Sequence, residues 1–306
     1  MKHTLKPLFI LISCSFFSFS GNAQSFDSIF DKEIISRQQE LIAKLTGQVP
    51  LNEITSLAVR NSFKERKLTV SFLVKSLKAI GLTPQKHNYR LSNEFFFLDL
   101  FFRPYRGTNV FAVIPATIKT DEYIILGGHY DSEPKAPGAD DNASGIALTY
   151  GVAYKIKQLK IRKKNIMIVF FDQEEENEIG SKAFAKKIKR EGQNVHSVHI
   201  TDMVGWDKNN DYAVTLSPPI KNIKQIYSST ANRLSIPLID SKMMSSDHKS
   251  FYDLGFDAVL ISEDFKNKDY NPYYHTEKDQ YNTINFNYLA SNTRLVYEVI
   301  KHLIEN

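Results

Sequence analysis

The sequence has a single cysteine, Cys14, so a disulfide framework and a cysteine-rich metal site are both excluded. Any bound metal must rest on histidine, aspartate and glutamate. There is also no apolar run approaching the roughly 20 residues that a membrane-spanning helix needs, and no internal repeat or low-complexity linker. Charge of one sign is not in large excess either. The formal balance is +5, and residues 1–23 carry Lys2 and Lys6 but no acid, so the remainder stands at 5 − 2 = +3. That balance argues for no particular partner, and no nucleic-acid partner is expected. The lysines at 155–164 and 182–190 alternate with Ile156, Leu159, Phe184 and Ile188, as on solvated helix faces.

What is present begins with a basic start, Met1-Lys2-His3 with Lys6, then an apolar stretch from Leu8 to Phe19 and small residues before a cleavage point after Ala23. This is the pattern of a secretory signal peptide over residues 1–23, with one domain over 24–306 and a periplasmic or extracellular destination. Leu11-Ile12-Ser13-Cys14 also resembles a lipoprotein box, although the apolar continuation through Phe16, Phe17 and Phe19 favours the first reading. At 42% hydrophobic residues over 306 positions the chain can bury one sizeable core.

From residue 26 to 92 the pattern is helical and then that of an edge strand. Val70, Leu73, Val74 and Leu77 recur at helical spacing, and Gly81 supplies a stop. Beyond it, apolar runs at 109–114, 123–126, 166–171 and 198–203 alternate with helical patterns at 144–157 and 181–189. Helices are also expected at 220–234 and 288–304, with a short strand at 258–261 between them. Strands separated by crossover helices predict an α/β fold: a three-layer, mostly parallel central sheet with helices on both faces.

In such sheets ligands gather beyond the carboxyl ends of the strands. His129 and Asp131 lie two apart after the run at 123–126, where His129 can bind metal while Asp131 orients its ring. Asp140 and Asp141 sit in a small-residue loop that alone would read as a helix cap. Glu174 and Glu175 follow a buried run, and these adjacent carboxylates become favourable if one binds a cation while the other stays free as a base. Asp202 ends another run, and His275 lies in a loop rich in proline and tyrosine. His196 and His199 point to opposite faces of a strand, and His87 and His302 lack acidic neighbours, so all four read as structural or surface residues.

Five motifs stand in order: Gly127 to Ser132, Gly138 to Gly145, Glu174 to Ser181, Asp202-Met203, and Asp269 to Thr276. Together they resemble the co-catalytic zinc peptidases typified by bacterial leucyl aminopeptidases, a family that includes glutamate carboxypeptidases and glutaminyl cyclases. The resemblance covers roughly residues 55 to 300. It implies a zinc-peptidase (phosphorylase/hydrolase-like) architecture and two zinc ions, with peptides as substrates. It makes Asp141 the bridging carboxylate, with Glu175 and His275 completing one zinc site and His129 and Asp202 the other. Glu174 becomes the general base and Asp131 the partner of His129, with Asp247 of Ser246-Asp247-His248 close by in support; His248 is not read as a ligand. Met203, Tyr270 and Tyr274 are the expected apolar wall for substrate. Asn177-Glu178 stands where the family usually has Gly-Leu, and Gln280 where it often has Thr. The expected activity is removal of amino-terminal residues. A glutaminyl cyclase and an inactive binding relative are the alternatives.

Overall fold

The computed structural model of the chain describes residues 28–53, 55–91, 105–218 and 220–306. The signal-peptide and lipoprotein readings therefore lie outside the described residues. Two helices come first, α1 (Ser28–Leu45) and α2 (Phe63–Ala79). The second starts at Phe63, ahead of the apolar stripe that begins at Val70, because Ser62 and Glu65 form a reciprocal capping box, which satisfies two backbone N–H groups at the helix start.

Eight strands then form one sheet. They are β1 (Gln85–Leu91), β2 (Tyr105–Ile114), β3 (Glu122–His129), β4 (Asn165–Phe171), β5 (Asn194–Thr201), β6 (Val214–Ser217), β7 (Leu238–Asp240) and β8 (Ala258–Ser262). Their spatial order is β1-β2-β4-β3-β5-β8-β6-β7, so β1 does form an edge. The central strands β4, β3, β5 and β8 run parallel, whereas β1 and β2 on one side and β6 against β8 on the other are antiparallel. The sheet is thus mixed, with its parallel part in the middle. Five further helices are α3 (Gly145–Lys157), α4 (Ile179–Arg190), α5 (Lys221–Leu234), α6 (His248–Tyr252) and α7 (Phe286–Glu305).

Alternation along the central strands divides two cores. Ile124, Leu126, Ile166, Ile168 and Phe170 face a cluster with Ile146 and Val152 of α3 and Leu295 and Val299 of α7. Ile125, Met167, Val169 and Phe171 face the opposite way, onto Phe184 and Ile188 of α4 and Phe251 of α6. With apolar side chains on both faces, the middle strands must be covered on both sides, which gives the three layers. Close approach at the middle of the sheet depends on Gly127 and Gly128. A Cβ there would stand 2.4 Å from the Val169 carbonyl oxygen and 2.5 Å from that of Thr201.

Candidate metal centre

The parallel strands deliver their terminal residues to one place. His129 is the last residue of β3, Asp172 to Glu175 follow β4, Asp202 follows β5, and Asp141 lies in the loop between β3 and α3. That loop is pinned through its neighbours. Asn142 donates through Nδ2 to the Thr201 carbonyl (2.8 Å), while its Oδ1 accepts from Gly145 N (2.9 Å) and Met203 N (3.3 Å). The loop end of β3 is therefore fastened to the end of β5.

The two carboxylate oxygens of Asp141 face different imidazoles. Oδ1 lies 3.2 Å from His129 Nε2, and Oδ2 lies 3.2 Å from His275 Nε2. Around His129 stand Asp202 Oδ1 at 3.4 Å and Glu174 Oε2 at 3.9 Å. Around His275 stands Glu175 Oε2 at 3.1 Å. All five expected ligands and the expected base are thus brought together. Asp131 has a broader task than its expected one. Its Oδ1 is 3.5 Å from His129 Nδ1, but its hydrogen bonds come from Glu174 N (3.0 Å) and Glu175 N (3.3 Å), so it fixes the backbone of the Glu pair.

The cluster crowds carboxylates against two imidazoles. Burial opposes protonation of His129, yet the Asp202 and Glu174 carboxylates hold its imidazole well above the usual range. His275 behaves alike: burial lowers it, and Asp141 and Glu175 raise it to about 10. Burial pushes Glu174 well up, and burial with the neighbouring Asp141 pushes Glu175 up to about 8. For Asp141 burial is outweighed by the facing imidazoles, which hold it low. Both ring nitrogens of His129, Glu175 Oε1 and Asp202 Oδ1 are buried without a hydrogen-bond partner. Imidazole and carboxylate donors left unpartnered in this way fit divalent cations, whose charge removes the mutual repulsion of the acids. Asp247 is fully buried nearby. Burial raises it to about 8 against the opposing charge of His129.

Several supporting residues were not singled out from the sequence. Asp279 accepts from Asp140 N (3.0 and 3.2 Å), Asp141 N (3.0 Å) and Asn271 Nδ2 (3.0 Å), so it joins the Asp141 loop to the loop that carries His275. Asp140 Oδ1 accepts from Gly205 N at 2.8 Å, and burial lifts both Asp140 (to about 6) and the neighbouring Glu263. Arg60 is fully buried and donates to the carbonyls of Leu45, Tyr130, Pro137 and Gly138. It thereby clamps the segment between His129 and Asp140 onto the end of α1. Glu133 joins Glu175 and His275 in a second group of metal-type donors beside that of His129, Asp141 and Asp202.

A cavity of about 250 Å³ opens from Asp141, Glu174 and Asp202 and is walled by Met203, Met243, Leu260, Phe265 and Tyr274. Met203 and Tyr274, two of the three expected wall residues, line it, and the third, Tyr270, stacks on the lining residue Phe265, 4.9 Å between centroids. Asn177 and Glu178 both have left-handed backbone, φ 68° and 51°. Asparagine tolerates that region better than most residues, which explains how the loop forms without the usual glycine. The histidines set aside are all engaged elsewhere: His196 beside Ser197, His199 between Tyr227 and Ser197, His248 at the Met243 carbonyl, His87 beside Asn109, and His302 beside Asn306.

Sheet order and donor set place the chain among α/β proteins that gather metal-type ligands at the carboxyl ends of parallel strands. Residues 109–300 match peptidase family M28, and the chain belongs to that family. It is 28% identical over 219 residues to a probable leucine aminopeptidase of Arthroderma otae, covering 65% of this chain and 58% of that one. The chain spans about half the length of the curated relatives it matches. Among solved structures, the zinc aminopeptidase BSAP of Bacillus subtilis superposes with a TM-score of 0.78 at 14% identity, over 89% of this chain and 95% of that one. A glutaminyl cyclase of Bacteroides thetaiotaomicron gives 0.70 at 18% identity, over 87% and 97%. At these identities the likenesses show the fold.

Proposed function

We propose that the chain is an exported two-zinc aminopeptidase that releases the first residue of peptides with a free amino end. The observation that carries this reading is Asp141, whose two oxygens each face a different imidazole at 3.2 Å. His129 and Asp202 would hold one ion and Glu175 and His275 the other, with Asp141 shared. Zinc held there would supply Lewis acidity to the scissile carbonyl and lower the pKa of water so that it can lose a proton near neutral pH. Glu174 accepts the proton of the attacking water and returns it to the leaving amine. Asp131 holds the Glu174–Glu175 backbone so that one carboxylate ligates while the other stays free. Met203, Tyr274 and Phe265 form an apolar wall for the first side chain, with Tyr270 stacked on Phe265.

Export rests on the leader pattern of residues 1–23, with residues 24–306 as one peptidase domain in the periplasm or outside the cell. Among the described residues no helix is long and apolar enough to cross a membrane. The test is a peptide that begins with glutamine, given free and N-acetylated. Release of free glutamine from the free form alone is expected. Ammonia without shortening of the peptide would instead favour a cyclase, and cleavage of the acetylated peptide at internal bonds would refute the amino-end reading.

A further inference from the structure

Glu133 has no role in the chemistry above, yet its backbone is firmly held. Arg60 N donates to Ser132 Oγ (3.1 Å), Ser132 Oγ donates to the Ala136 carbonyl (2.9 Å), and Ala136 N donates to the Glu133 carbonyl (3.1 Å). The turn that follows β3 therefore presents Glu133 from a fixed base. Its carboxylate, a carboxylate oxygen of Glu175 and a ring nitrogen of His275 lie within 4.8 Å of one another. Independently, the Glu175 side chain is only 4% exposed and its Oε1 has no hydrogen-bond partner. A buried acceptor without a donor, next to a second carboxylate and an imidazole, is a donor set that a cation would satisfy.

We infer that Glu133 is an additional ligand of the metal ion held by Glu175 and His275, a role outside the expected ligand set. The inference rests on the two-metal reading and makes the two subsites chemically unequal. The His129 subsite offers one imidazole and the carboxylates of Asp141 and Asp202. The His275 subsite offers one imidazole and three carboxylates, those of Asp141, Glu175 and Glu133. Carboxylate-rich sites suit harder ions. The His275 subsite should therefore accept Mn²⁺ more readily than its neighbour. Glu133 is partly exposed, so its side chain can be exchanged without opening the core.

The experiment is titration of the metal-free full-length chain with Zn²⁺ and with Mn²⁺, read by calorimetry, for the wild type, Glu133→Gln and Glu133→Asp. Circular dichroism of each metal-free variant checks the fold. In Glu133→Gln one binding step should weaken at least about tenfold, as expected for loss of a group that supports a metal site, while the other is unchanged. The Mn²⁺ step should be affected most, and Glu133→Asp should fall between. Superimposable isotherms for the wild type and a folded Glu133→Gln overturn the inference, including the case where only KM for free-amine peptides rises, which would give Glu133 to the substrate. Should Glu133→Gln not fold, Glu133→Asp decides: unchanged affinity overturns the inference. A weakened step in a protein that cleaves no peptide would uphold the ligand and refute the aminopeptidase reading.

Discussion

Replacing Asp279 by alanine should loosen the metal centre although Asp279 is not a proposed ligand. The carboxylate accepts three donors, Asp140 N, Asp141 N and Asn271 Nδ2, at 3.0 to 3.2 Å. It is fully buried, so the truncation strands all three without water to replace it. A stranded buried donor costs about 1 to 3 kcal/mol, which sets a floor of about 3 kcal/mol for the three together. For a domain of this size that is a fall of roughly 5 °C in Tm. The loss also frees the Asp141 loop from the segment bearing His275, so affinity for zinc should fall in parallel. Thermal unfolding with and without zinc, together with a zinc titration, measures both. A shift under about 2 °C with unchanged zinc affinity would refute the claim that Asp279 holds the two loops in register.

Glu174→Gln should reduce turnover at least about a hundredfold, the usual contribution of a general base, while metal content is retained; a loss below about tenfold would place the base elsewhere. Glu175→Gln should lose metal as well as rate. The pH dependence follows from His275, whose pKa is raised from 6.5 to about 10 by Asp141 and Glu175 against the effect of burial. In the metal-free protein the stabilisation from this pairing is complete below about 6.5 and is lost as pH rises through about 10. Tm of the metal-free chain should therefore fall across that interval, and His275→Gln should flatten the fall. Zinc binding near pH 7 must displace the same proton, so the calorimetric heat should change with the ionisation enthalpy of the buffer. A buffer-independent heat would contradict it.

The residues at strand ends were legible because a parallel strand is a long apolar run, and the polar residue that breaks it marks the ligand side of the sheet. His129, Glu174, Glu175 and Asp202 all announce themselves in this way. His275 has no strand before it; only the ordered set of motifs pointed to it. The short strands β6 and β7 gave no readable pattern, since four and three residues carry little periodicity. Arg60, Asp279 and Glu263 were illegible for a different reason. Their partners are distant in sequence: Arg60 reaches carbonyls at Tyr130 and Gly138, and Asp279 reaches Asp140. Glu133 is one more acid in a loop until the fold sets it beside Glu175 and His275.

The central claim is that one carboxylate joins two metal subsites, and metal stoichiometry with its response to Asp141→Asn tests it most directly. Two zinc equivalents per wild-type chain are expected, with weakening of both in Asp141→Asn and of chiefly one in Asp202→Asn. A single equivalent in a fully active wild type, or an Asp141→Asn chain that loses only one ion and binds the other with unchanged affinity, would contradict it.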